Sequence, residues 1–283
     1  GFNRTTVKTF ILDKIKGYLL GGIIGGGLLI LFTWFYYFAD EFFWVYMWGT
    51  FTLFTLFMTM FYTSLIVPIF NKLTPLADGD LRTAIERYSL GVNFNLKNIF
   101  LMDGSKRSSK ANAYFSGMGG RKTIVLYDTL VKDHSAEEIV AVLAHEVGHY
   151  KKKHSFKMTL LSILQTGVIL YLLSMFINVP VFSMALGSEG QSVYFGLIAF
   201  SILFSPISTV LDMGMNYLSR RHEFEADAFA KKTNSAMALI SALKRLSVNQ
   251  LSNLTPHPAY VVVHYSHPPL LQRIKALEVS VTI

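Results

Sequence analysis

The chain has 283 residues, 52% of them hydrophobic and 14% aromatic, with a mean hydropathy of +0.39. That is too apolar for an ordinary water-soluble domain. The formal charge of +8 does not signal nucleic-acid binding, because the aromatics that would interleave with a basic patch lie mostly inside apolar runs. Cysteine is absent, which excludes disulfides and thiolate metal sites.

Residues 1–16 read as a basic juxtamembrane helix that leads directly into an apolar run. There is no signal-peptide pattern and no initiator Met, so the sequence reads as a piece of something longer. Four apolar runs follow along the chain, at residues 17–39, 42–70, 158–179 and 193–218. Each has the roughly 20 residues that cross a hydrocarbon core of about 30 Å. In the first run, Gly21/Gly25 and Gly22/Gly26 have the small-xxx-small spacing of packed membrane helices. A phosphate-cradling loop is disfavoured there, since nothing suggests a strand–loop–helix context. Asp212, within the fourth run, is expected to line a water-accessible space, because a carboxylate at that depth is costly.

All 26 basic residues lie in 1–16, 71–157 and 219–283, whereas Asp40-Glu41 and residues 180–192 contain no Lys or Arg. The positive-inside rule makes the basic face cytoplasmic. Between the second and third runs, a soluble insert is expected, with a helix over 74–90 and a short strand over 99–102. A hairpin of 111–116 with 123–127 would turn at Gly117-Met118-Gly119-Gly120. After the fourth run a long helix over 219–247, an irregular stretch over 249–264 and an amphipathic helix over 268–278 complete the chain.

The most specific motif is His145-Glu146-Val147-Gly148-His149. Ser135-Ala136-Glu137-Glu138 reads as a capping box opening the helix that carries it. Residues four apart share a helix face, so His145 and His149 can grip one zinc ion, with Glu146 beside it to take a proton from bound water. A tetrahedral catalytic site needs a third protein ligand and keeps one position for water. The best candidate is Glu223, with Asp227 one turn on to hydrogen-bond a ligating imidazole; Glu225 faces elsewhere on the helix. A solvated charged helix is the alternative for that segment. His154 and His222 read as groups at the membrane surface, and His134 and His257 as loop residues. His267, in the rigid turn His267-Pro268-Pro269, and Arg273 could each hydrogen-bond an oxyanion.

Four stretches stand out together: the run from Gly104-Ser105-Lys106-Arg107 to Asn112-Ala113-Tyr114-Phe115-Ser116-Gly117, then Val142-Leu143-Ala144 with the zinc motif, Ser219-Arg220-Arg221-His222-Glu223-Phe224-Glu225-Ala226-Asp227, and Tyr265-Ser266-His267-Pro268-Pro269 through Arg273. With them the chain resembles the Ste24 (CAAX prenyl protease 1) family of membrane zinc metalloproteases. The resemblance implies one zinc ion held by His145, His149 and Glu223, with Glu146 as general base. It also implies an edge strand at Asn112, Ala113, Tyr114 and Phe115 that pairs with an extended substrate backbone, and it makes His267 and Arg273 transition-state or site-shaping groups.

The expected fold is mainly α: a polytopic helical membrane protein with a zincin-like α+β protease region on the cytoplasmic side. Its organisation would be 1–70 (juxtamembrane helix and two spans), 71–157 (protease insert), 158–218 (two spans) and 219–283 (C-terminal region with the third ligand). Family members have seven spans, so three N-terminal helices are expected to be missing. The implied partners are the lipid bilayer and a peptide or protein substrate, in the family's case one with a prenylated C-terminus. The implied location is a bacterial inner membrane, or the endoplasmic reticulum or inner nuclear membrane of a eukaryote. Two rivals stand beside this reading: an HtpX-like quality-control protease, and a non-catalytic membrane scaffold with a structural zinc.

Overall fold

The computed structural model describes residues 1–116 and 122–279. In chain order the elements are α1 (Val7–Ala39), α2 (Phe43–Leu65), α3 (Val67–Phe70), β1 (Leu73–Pro75), α4 (Asp80–Gly91), β2 (Asn98–Met102), β3 (Ala113–Ser116), β4 (Thr123–Tyr127), α5 (Asp128–Asp133) and α6 (Ala136–Lys151). They continue with α7 (His154–Phe176), α8 (Pro180–Met184), α9 (Val193–Thr233), α10 (Ala236–Asn249), α11 (Pro258–His264) and α12 (Leu270–Glu278). The result is a largely helical chain with one small mixed sheet.

The chain divides into two compact units. The first unit is Ile15–Phe57 with Phe156–Met215, built from the apolar helices. Phe32, Phe43, Met47, Leu170, Leu173 and Ile177 form its buried cluster, and Trp48 donates its indole N–H to the Ile163 carbonyl at 2.8 Å. Its outer faces are apolar as well: Ile23, Leu53 and Val210 are largely exposed. Apolar surface on that scale is stable against lipid and not against water. Among the described residues, the stretches long and apolar enough to cross a membrane are Val7–Phe70, which holds α1 and α2, His154–Phe176 and Val193–Thr233. Asp212 is exposed on α9.

The second unit is Gly1–Lys14, Met58–Ser155 and Asn216–Ile283. Its sheet has the order β1-β2-β4-β3, with β2 and β4 parallel and the other two pairs antiparallel. Ile85 and Phe94 from the α4 region, Ile124 and Leu126 from β4, and Ile139, Leu143 and Val147 from α6 form the main core. Val67, Met102 and Val125 bury a second cluster. Arg107 is the anchor for the amino-terminal stretch. Its guanidinium donates to both carboxylate oxygens of Asp13 at 2.7 and 2.8 Å, to Asn71 Oδ1 at 2.7 Å and to the Phe70 carbonyl at 2.6 Å.

Several local expectations are corrected. Residues 1–16 are not one helix: α1 begins at Val7, and Asn3 forms an antiparallel bridge with Ser108 while Arg4 N–H donates to the Arg107 carbonyl. The region 74–90 opens with strand β1, too short for alternation to reveal. Pro75 is tolerated in it because β1 is an edge strand whose missing N–H breaks no inner ladder. The helix over 219–247 breaks at Asn234, where Ser235 caps α10 by accepting from Ala238 N–H at 3.1 Å. The irregular stretch contains the short helix α11. His134 lies between α5 and α6, as a loop residue, and is buried there. The expected hairpin turn lies outside the described residues.

The capping box of α6 is complete. Ser135 Oγ accepts from Glu138 N–H at 3.2 Å, and Glu138 Oε2 accepts from Ser135 N–H at 2.9 Å. The other carboxylate oxygen, Oε1, accepts from the Ser241 hydroxyl at 2.7 Å, tying α6 to α10. Burial alone would raise the Glu138 pKa, but the bonds from Ser241 and Ser135 hold it below its usual value. The stability it contributes is therefore present above the ordinary pKa of 4.5 and is lost as the pH falls below it. Ser135→Ala is expected to cost about 1 kcal/mol. Glu138→Ala should cost more, because it strands the Ser241 hydroxyl too. Thermal unfolding in detergent at pH 7 checks the order.

Candidate active site

The site is built in the second unit by α6, the part of α9 from Asn216 onward, and α12. His145 and His149 lie one turn apart on α6, and their Nε2 atoms approach to 3.1 Å. On α9, Glu223 meets both: Oε1 lies 3.1 Å from His149 Nε2, and Oε2 lies 3.5 Å from His145 Nε2. Four ligands held about 2.1 Å from a tetrahedral zinc stand roughly 3.4 Å apart. The three donor atoms thus have the separations a zinc ion needs. Glu223 Oε2 is buried, with His145 Nε2 3.5 Å and Arg273 NH1 3.3 Å from it.

The helices can come this close because of Gly148. A Cβ built there would stand 3.0 Å from Ala226 Cα and 3.1 Å from its carbonyl oxygen. Backbone touches backbone at this point, between the two histidines on α6 and between Glu223 and Asp227 on α9. Ala141, Ala144, Ala226 and Ala230 are all buried, which continues the close packing.

Behind the ligands sits a charged clamp. Asp227 Oδ1 lies 2.8 Å from His145 Nδ1. The Arg273 guanidinium, from α12, donates to both Asp227 oxygens at 2.8 and 2.7 Å and has NH1 3.3 Å from Glu223 Oε2. Burial alone would pull the His145 imidazole down; hydrogen bonds with Asp227 and Glu223 override it and raise its pKa to about 9. The donor set thus attracts positive charge strongly, a second observation that fits a divalent cation. Glu146 keeps some solvent exposure, yet the protein around it raises its carboxyl pKa, against the pull of the His145 and His149 imidazoles.

Of the remaining residues singled out from the sequence, His267 is exposed, with Nε2 3.5 Å from Glu223 Oε1 and Nδ1 3.0 Å from the Ser266 hydroxyl. Ala113, Tyr114 and Phe115 lie in β3, the terminal strand of the sheet, and Asn112 precedes them. Arg273 is buried and committed to the two carboxylates. Sequence reasoning missed His154, His222 and Glu225. His154 is 2% exposed, with Nδ1 3.1 Å from His149 Nδ1 and Nε2 3.2 Å from Glu225 Oε2, and its ring stacks on His222. Neither histidine is a surface group. In an unbroken helix a residue five beyond His149 would face about 140° away. The turn at Lys152-Lys153, with Lys153 at φ 59°, brings His154 back.

The model for peptidase family M48 matches residues 75–281, and that for the CAAX prenyl protease N-terminal region, five membrane helices, matches residues 1–72. The chain is 39% identical to a CAAX prenyl protease 1 homolog of Arabidopsis thaliana, over 98% of the chain and 66% of that protein. It is 40% identical to CAAX prenyl protease 1 of Saccharomyces cerevisiae, over 98% and 65%. It spans about two thirds of the length of these relatives. The crystal structure of S. mikatae Ste24p superposes with a TM-score of 0.90 at 38% identity, covering 98% of this chain and 68% of that one.

The contact at Gly148 gives a test in which two effects oppose. Gly148→Ala favours helix formation by about 1 kcal/mol, but its methyl must push α9 away and carry Glu223 and Asp227 off the imidazoles. Separation of the ligands is expected to win, weakening zinc binding roughly 10- to 100-fold. Competition with a chromophoric chelator measures it.

Proposed function

The chain belongs to peptidase family M48, and on that premise we propose that it is a membrane zinc endopeptidase of the Ste24 type, cleaving an extended peptide across the His145–His149–Glu223 site. The observation that carries the reading is the convergence of two imidazole nitrogens from α6 and one carboxylate from α9 at metal-ligand separations, with a raised-pKa carboxyl at Glu146 beside them. Zinc bound there would lower the pKa of its water to about 7, so that a hydroxide nucleophile is available at neutral pH. His145, His149 and Glu223 would hold it.

Glu146 takes the proton from the attacking water and returns it to the leaving amine. Burial raises the carboxyl pKa of Glu146, which favours its holding the proton between the two halves of that transfer. His267, exposed beside Glu223, is placed to donate a hydrogen bond to the oxygen of the attacked carbonyl. Arg273 has the site-shaping role: it fixes Asp227, which orients His145, and restrains Glu223. β3 offers its outer edge to the substrate backbone, and its pairing with β4 leaves Ala113, Tyr114 and Phe115 in extended register for β-augmentation, with Asn112 just before them.

The names of the relatives support a CAAX-type substrate, a protein with a prenylated C-terminus, over a general quality-control role. The presence of Glu146 favours catalysis over a structural zinc, which needs no base. The Lys and Arg distribution supports a cytoplasmic site. Chain distance fits a site near the membrane surface: Glu223 follows Leu218, the end of an apolar run, by five positions, and Met158 follows His149 by nine. The test is Glu146→Gln, which should keep zinc while lowering cleavage of a fluorogenic CAAX-type peptide about 10²- to 10⁴-fold. Metal analysis and single-turnover cleavage are measured on the same sample; full activity in this variant would sink the mechanism.

A further inference from the structure

We propose that Glu225, acting through His154, is a positioning residue for the His149 imidazole, so that the metal is held by two hydrogen-bonded relays of unequal length. The proposal rests on the zinc-site reading above. The short relay is His145 to Asp227 to Arg273. The long one runs from His149 Nδ1 to His154 Nδ1 at 3.1 Å, and from His154 Nε2 to Glu225 Oε2 at 3.2 Å. It ends at Arg221, whose Nε lies 3.3 Å from Glu225 Oε1.

Only one placement of protons lets this chain coexist with a ligated metal. Nε2 of His149 faces His145 Nε2 and Glu223, so as a ligand it must carry a lone pair, and its proton sits on Nδ1. That N–H donates to His154 Nδ1. The proton of His154 is then on Nε2, where it donates to the Glu225 carboxylate. Each of the four nitrogens has one role, and reversing the chain would put a proton on the ligating atom. The relay therefore selects the metal-binding tautomer of His149.

The Glu225 carboxylate also polarises His154. This makes Nδ1 of His154 a stronger acceptor and the far nitrogen of His149 a more basic ligand. His154 is held rigidly in this position. It is buried, and its ring stacks on that of His222 with centroids 4.1 Å apart and planes at 9°. His149 is the more exposed of the two histidine ligands, so it has the greater need of a partner that stops its ring from turning.

The experiment uses the full chain in detergent, with zinc dissociation constants from chelator competition and metal-free melting temperatures for each variant. His154→Phe keeps the ring and its stack on His222 but removes the acceptor. It should weaken zinc binding 10- to 100-fold, and shift the visible bands of the cobalt(II)-substituted protein, with the metal-free melting temperature held. Glu225→Leu, at a side chain 33% exposed and so safe for folding, should give a loss of the same order. Glu225→Gln, which keeps an acceptor oxygen but not the charge, should fall between. If the two residues act on one path, the double variant His154→Phe with Glu225→Leu binds zinc no more weakly than His154→Phe alone. Additive losses, or zinc affinity unchanged in both single variants, would overturn the relay while leaving the peptidase reading intact. Failure of the unaltered chain to bind zinc would overturn both.

Discussion

Backbone contact between α6 and α9 is the constraint on which the rest of this site depends. Helices with ordinary side chains at their crossing stay 8–10 Å apart, and a side chain at position 148 would be a barrier to closer approach, since even its Cβ would stand 3.0 Å from Ala226 Cα. Gly148 and Ala226 remove that barrier at one point. The three candidate ligands and Asp227 lie within one turn of it: His145 and His149 flank the glycine, and Glu223 and Asp227 flank the alanine. The same sequence positions that determine metal geometry therefore also determine how the helices pack.

Close packing brings an electrostatic cost. Glu223, Asp227 and Arg273 are all nearly buried, and an isolated buried charge is not tolerated. The cluster answers this by bonding every charge to another. Arg273 faces both carboxylates, and Asp227 is shared between Arg273 and His145. Two carboxylates against one guanidinium leave an excess of negative charge, and, against the pull of burial, hydrogen bonds with those carboxylates raise the His145 pKa to about 9.

Much of this was legible in the sequence, for reasons that differ by residue. The zinc motif and its capping box are local, and helix periodicity alone sets their relative directions. The pair Glu223 and Asp227 was legible because four-residue spacing on one helix mirrors that on the other. The apolar runs could be read because a bilayer demands length and composition and little else. What escaped depends on chain reversals. His154 reads as a membrane-surface residue until the left-handed turn at Lys153 folds it back onto His149. Glu225, on a different face of the helix from Glu223, reads as uninvolved until that turn brings His154 against it. The parallel pairing of β2 with β4 was also invisible, since β3 lies between them in sequence and pairs with β4 instead.

Arg273 couples the apolar packing to the chemistry. It belongs to the last helix, 128 residues from His145, and its position is fixed by packing that involves no ligand: Leu277 of α12 is buried with Leu239 and Ile240 of α10 against Ala141 and Ala144 of α6. α10 is tied in turn to the start of α6 through Ser241 and Glu138. The helix that carries the histidines is thus held at its first residues by a capping carboxylate and at its middle by small-residue packing. Those two supports set where the guanidinium arrives. Since Arg273 then pairs with Asp227 and Glu223, and Asp227 lies against His145, the spacing of the three candidate ligands depends on apolar packing reached through buried salt bridges.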